Sequence, residues 1–331
     1  MAEVEEEVEV MWKRGRTLGK GGFGFVSLAS TDNTDNAGTV DHCLIPPLIA
    51  VKSCMFSRSE SLQLEREFLR MFEDSPHIIR SFGVKVTLED GVLLYNLLLE
   101  YASGGSLADR LNCSGKGMPE VEVKQHTKNV VLGLSRIHGA GIIHCDLKPH
   151  NILLVTATDD DTTEIAKIAD FGLAMTLEQS WTQKQGLRGT KRYMAPESVL
   201  KQEYGPEADI WALGCIVYEL ITGKPLWDSS NSDAKVDDVL RRIRSEEPNF
   251  ENGKLSAEAK DFVRSCLVKN PSSRWTADML LNHSFLKSVN NVQPATKTRK
   301  KQSGYMSFLR RPHRKTAFKT QPHIRDLIIE H

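Results

Sequence analysis

Asp146, Lys148 and Asn151 lie in one six-residue stretch with Pro149 among them. Proline blocks a helix, so only an irregular loop can point a carboxylate, an ammonium and an amide at one place. The fold has to be built around such a loop, His144–Asn151, with Asp170-Phe171-Gly172 following downstream. Alone, Asp-Phe-Gly is a common turn tripeptide, and Asp146 and Lys148 could be solvated loop charges. What sets them apart is their order and spacing relative to segments on either side.

Upstream, Gly19-Lys20-Gly21-Gly22-Phe23-Gly24-Phe25-Val26 has the G-x-G-x-x-G-x-V form. Glycines let backbone approach a phosphate and leave amide N–H groups as an anion-binding surface. The same spacing serves dinucleotide-binding folds, where the turn opens a helix. Here the β-prone run Phe25–Ala29 follows, which predicts the second strand of a hairpin and excludes a Rossmann-type oxidoreductase. Ile49-Ala50-Val51-Lys52 is an apolar strand with one Lys at its end, and Leu62, Leu64, Phe68, Leu69 and Phe72 recur at helical spacing.

Strands are expected at Arg14–Leu18, Phe25–Ala29, Leu48–Cys54, Ile79–Val86 and Val92–Glu100, with one helix, Leu62–Phe72, inserted. Helices are expected thereafter: Glu120–His138 with Pro119 in its first turn, Ala208–Thr222 apolar almost all round, Ala257–Leu267 capped by Ser256, and Ala277–Leu281 capped by Thr276. Strands followed by helices make an α+β pattern. With 331 residues, 40% hydrophobic and 26% charged, the composition is that of a soluble globular protein. The most apolar run, Val92–Leu99, is far shorter than the roughly 20 residues of a membrane span. The acidic N-terminus does not look like a secretory signal, and six cysteines without a C-x-x-C pair fit reduced thiols, so a cytoplasmic and possible nuclear location is expected.

Taken together, these segments resemble the eukaryotic protein kinases over about Trp12 to Leu286. Ala195-Pro196-Glu197 looks like the family's anchor closing the activation segment, with Arg274 placed to pair with Glu197, and Asp209 resembles the helix Asp that supports the catalytic loop. The resemblance implies an α+β bilobal fold: an acidic tail at 1–11, a kinase domain at 12–286 with a five-stranded antiparallel small lobe (12–101, one helix) and a larger helical lobe (102–286), and a basic tail at 287–331. It implies ATP and Mg²⁺ as cofactors. Asp146 would accept or orient the proton of the acceptor hydroxyl, Lys148 would meet the γ-phosphate, and Asn151 and Asp170 would hold the metal. Lys52 would contact the α- and β-phosphates and pair with a helix carboxylate, Glu65 by its spacing to Phe68, Leu69 and Phe72, with Glu67 the alternative. Nucleotide contacts are expected from Leu18, Gly19, Lys20, Gly21, Gly22, Phe23, Gly24, Phe25 and Val26, and from the backbone near Glu100 and Ala102 in the hinge after the gatekeeper Leu99. A Lys two places after the catalytic Asp marks serine/threonine kinases.

A finer resemblance, through Ser75-Pro76-His77-Ile78, Glu100–Leu107, His144-Cys145-Asp146 and Trp211–Cys215, is to plant mitogen-activated protein kinase kinase kinases. It implies a MAP kinase kinase as protein substrate, with no specific nucleic acid and no transmembrane segment. The rival from another class is a pseudokinase scaffold, which the intact Lys52, Asp146, Asn151 and Asp170 weigh against.

Two departures stand out. Many kinases place Arg before the catalytic Asp, where it pairs with a phosphorylated activation-segment residue. Here the position is Cys145, and a thiol cannot replace a bidentate cation. Activity is therefore expected to depend weakly on phosphorylation at Thr176, Ser180, Thr182 or Thr190, the last read as supporting Asp146. The polar stretch Ser30–Pro47 is expected to be an exposed loop. The basic tail, Lys297–Lys301 and Arg310–Lys315 before Leu327-Ile328-Ile329, could bind an acidic partner, serve nuclear import or meet an anionic membrane; a solvated linker explains it equally well.

Overall fold

A computed structural model describes residues 11–21, 24–31, 45–156, 164–182, 186–227, 236–250 and 254–287. The acidic segment 1–10, Gly22 and Phe23, residues 32–44 of the polar loop and the basic tail from 288 lie outside the described residues. Five strands form one antiparallel sheet in the order β1-β2-β3-β5-β4: β1 Trp12–Gly21, β2 Gly24–Thr31, β3 Leu48–Met55, β4 Ser81–Glu89 and β5 Val92–Glu100. Strand side chains alternate in direction. In β3, Ile49 and Val51 pack with Ala29 and Leu98 on one face, while Ala50 faces the main core with Leu97 and Leu99. Lys52 shares the parity of Ala50 and so points inward.

The outer face carries a polar knot. Ser53 and Asn96 are fully buried; Arg14 donates to Ser53 Oγ (3.0 Å), Asn96 Oδ1 (2.8 Å) and the Glu89 carboxylate (2.8 Å). Buried polar atoms without such partners would each be destabilising by about 1–3 kcal/mol. The knot therefore ties β1 to β3, β4 and β5 through side chains, although β1 pairs by backbone only with β2.

Helix α1, Glu60–Arg70, follows β3. It begins and ends two residues earlier than its apolar spacing predicts, because Phe72 packs in the core from a turn beyond the helix. Strand β4 is likewise displaced toward Glu89. Asp90 and Gly91, both at positive φ, form the tight turn that lets Leu88 pair with Leu93 and Glu89 with Val92. Ile79 leaves the sheet, its N–H donating to Ile168 O (2.9 Å).

The remainder is mainly helical. Helix α2, Leu107–Ser114, opens on a capping box in which Ser106 and Asp109 each bond the other's backbone N–H. Helix α3, Glu120–Gly139, is preceded by Pro119 at the capping position, not in the first turn as expected. Two short antiparallel strand pairs then frame the loop read from the sequence: β6 Ile142–Ile143 with β9 Met175–Thr176, and β7 Ile152–Thr156 with β8 Glu164–Ile168. After helix α4, Leu177–Thr182, and α5, Pro196–Lys201, comes α6, Pro206–Thr222, buried on nearly every side, as its almost wholly apolar surface requires. Helices α7 Val236–Ser245, α8 Ala257–Cys266, α9 Ala277–Leu281 and α10 Ser284–Lys287 close the lobe. Ser256 and Thr276 cap α8 and α9 through the N–H groups of Ala259 and Met279. The architecture is the expected α+β, bilobal one.

Candidate active site

The loop between β6 and β7 is held by its backbone. Asp209, in the first turn of α6, accepts the N–H groups of His144 (2.9 Å) and Cys145 (3.0 Å), and its carboxylate also meets His138 Nε2 (2.9 Å). His144 Nδ1 accepts the Asp146 N–H (3.3 Å), so Nε2 carries the ring proton and donates to Ala169 O (3.0 Å). The Ala169 N–H in turn reaches Asn151 O (2.9 Å), tying the loop to the strand end that carries Asp170. Cys145 and Asp170 have φ near +65° and +67°, unusual for residues other than glycine and a conformation that persists only where surroundings impose it.

Asp146 is buried, with both carboxylate oxygens engaged. Oδ1 accepts the N–H (2.8 Å) and hydroxyl (2.7 Å) of Thr190; Oδ2 accepts from Lys148 Nζ (2.7 Å). Lys148 also donates to Thr190 Oγ1 (3.1 Å), closing a ring of three side chains. Donors on both oxygens hold the carboxylate in one orientation, which a base for an incoming hydroxyl requires. Asn151 Nδ2 donates to Asp146 O (2.9 Å), leaving its amide oxygen as the end available to a cation.

The second cluster joins strand, helix and loop. Lys52 Nζ donates to Glu65 Oε2 (2.6 Å) and to Asp170 Oδ1 (2.9 Å). Of the two helix carboxylates left open by the sequence, Glu65 is the one at Lys52; Glu67 is exposed and pairs with Arg66 (3.3 Å). Burial works against the Lys52 charge, but the two carboxylates more than reverse it and hold the ammonium above its ordinary range. Burial raises Glu65, and Lys52 offsets this only in part. For Asp170 burial also opposes the charge, yet Lys52 prevails and the carboxyl stays below its usual range.

Asp170 retains 35% exposure of its side chain. Its carboxylate and the Asn151 amide oxygen are hard oxygen donors of the kind Mg²⁺ takes when substrate phosphates complete its shell. Among the described residues no group of three His, Cys, Asp or Glu could hold a metal alone. The donor set thus fits a metal that arrives with a phosphate. Gly19 pairs with Val26, Lys20 with Phe25 and Gly21 with Gly24 across the β1–β2 hairpin; Leu18 is exposed on β1. Gly22 and Phe23, at the tip, lie outside the described residues. Gly24 has φ +134° and no room for a side chain, since a Cβ would sit 2.0 Å from Ser53 O. At the β5 exit, Glu100 pairs with Lys167 (2.8 Å) and its N–H donates to Arg80 O, while Ala102 O accepts the Gly105 N–H (3.2 Å). Neither the Lys167 partner nor the Arg14 knot is legible in sequence, as they join residues 39 to 82 positions apart.

Beyond Thr190 the chain is anchored by Glu197, whose carboxylate forms a bidentate pair with Arg274 (2.6 and 3.1 Å). Arg274 is fully buried there, donates further to Glu207 O (2.7 Å) and Val268 O (2.9 Å), and lies over the Trp211 ring.

A glycine hairpin in the sheet that carries Lys52, the Lys52–Glu65–Asp170 cluster and a carboxylate oriented by Lys148 and Thr190 together supply the groups that phosphoryl transfer needs. The protein kinase domain matches residues 12–286, and the chain belongs to that family. It is an ATP-dependent protein serine/threonine kinase, of a family that typically uses Mg²⁺. Among its relatives are three from Arabidopsis thaliana. Mitogen-activated protein kinase kinase kinase 20 is 44% identical over 83% of this chain and 78% of its own length. Mitogen-activated protein kinase kinase kinase 17 is 37% identical over 86% and 71%, and mitogen-activated protein kinase kinase kinase 18 is 38% identical over 83% and 77%. No helix among the described residues is long and apolar enough to cross a membrane.

Proposed function

We propose that this kinase acts at the MAP kinase kinase kinase level, transferring the ATP γ-phosphate to serine or threonine hydroxyls of a MAP kinase kinase. The observation that carries the catalytic part is the Lys52 ammonium shared by Glu65 and Asp170, which links both lobes while Asp146 stands ready on the adjoining loop. The substrate tier is supported by the names of the relatives.

In this reading the acceptor hydroxyl enters beside Asp146, which takes or orients its proton as the oxygen bonds to the γ-phosphorus. The bond from that phosphorus to the ADP oxygen breaks. Lys148, already at the Asp146 carboxylate, neutralises charge on the transferring group, and Lys52 holds the phosphates nearer the nucleoside. Mg²⁺, when held by Asn151 and Asp170, supplies charge neutralisation at the phosphate oxygens. Little covalent chemistry falls to the protein, so positioning is most of its work.

Radiolabelled ATP, a panel of MAP kinase kinases and site mapping test the proposal. Wild type should label serine or threonine, and Asp146→Asn should transfer about 10²–10⁴-fold more slowly. Equal incorporation by the two refutes the role of Asp146; labelling of none of the panel refutes the substrate tier.

A further inference from the structure

Cys145 stands where an arginine would order the activation segment through a phosphorylated residue, yet residues 186–190 are ordered by groups the chain itself carries. The Arg188 N–H donates to Tyr204 Oη (2.6 Å), and that hydroxyl donates to Gly186 O (3.2 Å). The Arg188 guanidinium reaches back to Leu173 O (3.3 Å), joining the two ends of the segment. Gly189, at φ +95°, passes so close to the catalytic loop that a Cβ would lie 2.3 Å from Cys145 O. Thr190 follows at once and seats on Asp146.

Arg188, Tyr204, Cys145 and Asp209 line one cavity of about 20 Å³. Such a space holds about one water and not a second guanidinium. Burial and Asp209 push the Cys145 thiol well up, and the Arg188 charge opposes them, so a cation already acts on position 145. It comes from the segment, not from the loop. The hydroxyls named as phosphorylation candidates are used locally: Thr176 and Gln179 bond each other's N–H groups at the start of α4, Ser180 donates to Leu177 O and Thr182 to Glu178 O.

We propose that Arg188 and Tyr204 are positioning residues for the acceptor side of the active site, clasping residues 186–190 so that Thr190 rests on Asp146 without phosphorylation of the segment. The proposal rests on the kinase reading only for its activity assay. Removing one oxygen atom, in Tyr204→Phe, opens the clasp at its centre.

With the full chain and a serine-containing acceptor peptide, Tyr204→Phe should raise the peptide KM about three- to tenfold, the effect of a lost hydrogen bond, and leave the KM for ATP unchanged. A merely destabilised fold would lower kcat and move neither KM. Wild type should keep its rate after phosphatase treatment. Cys145→Arg should reduce kcat/KM for the peptide at least about fivefold beside Arg188, but less than about twofold in an Arg188→Ala chain, because the second guanidinium then has room. Trypsin cleavage after Arg188, followed without ATP, should be at least about threefold faster in Tyr204→Phe than in wild type, which reads the clasp even in a chain that transfers no phosphate. Collapse of the wild-type rate after phosphatase, two unchanged KM values in Tyr204→Phe, a Cys145→Arg loss independent of Arg188, or unchanged cleavage overturns the proposal.

Discussion

Replacing Lys52 with methionine leaves Glu65, 1% exposed, as a buried carboxylate with its cation gone. Breaking a buried pair from one side destabilises by about 3–5 kcal/mol. Asp170 adds little to this, since a third of its side chain meets solvent. At about 2 °C per kcal/mol for a domain of this size, Tm should fall by roughly 6–10 °C near pH 8. The loss has a distinctive pH dependence. Burial already raises Glu65 in the wild type, and without Lys52 it rises further. Between the unfolded carboxylate pKa of about 4.3 and that raised value, the folded chain binds the extra proton, so its stability falls as pH rises and is recovered as pH drops. The recovery is at most about 1.4 kcal/mol, or roughly 3 °C, per pH unit. Thermal unfolding of wild type, Lys52→Met and Lys52→Met/Glu65→Gln at pH 6, 7 and 8 measures it. The gap between wild type and the single variant should narrow toward pH 6, and the double variant should lose that slope. A gap of equal size at pH 6 and pH 8 would refute the reasoning that an unpaired Glu65 charge is its source.

Two further perturbations probe the frame around the site. Arg274→Met strands the buried Glu197 and should destabilise by about 3–5 kcal/mol in calorimetry; adding Glu197→Gln should recover only part, because Arg274 also serves the carbonyls of Glu207 and Val268. Gly24→Ala drives a methyl into Ser53 O at positive φ, so it should raise the KM for ATP several-fold while leaving the acceptor KM unchanged in steady-state assays.

Local chemistry made much of this molecule readable in its sequence. The alternation around Ile49–Lys52, the Pro149-broken loop and the caps at Ser256 and Thr276 each act within a few residues, and there expectation and structure agree in kind. Asp90-Gly91 and the Ser106–Asp109 box are equally local, but the expectations drawn from apolar spacing use neither, so they misplace the end of β4 and do not foresee α2. The limit was distance along the chain. Glu65 and Glu67 are chemically alike, and only the rotation of α1 against β3 puts one at Lys52 and the other in solvent. Arg188 and Tyr204, sixteen residues apart, have no periodicity that pairs them; a cationic residue two places before Thr190, opposite a missing loop arginine, was the one available hint.

Asp209 grips the catalytic loop by amide hydrogens alone, those of His144 and Cys145. Every amino acid except proline brings such a hydrogen, so this grip on the loop backbone does not itself depend on which side chain stands at 145. Control of the enzyme and its chemistry thus occupy adjacent positions but separate atoms, and a lineage can rewire how the kinase is switched on while its reaction centre stays where it was.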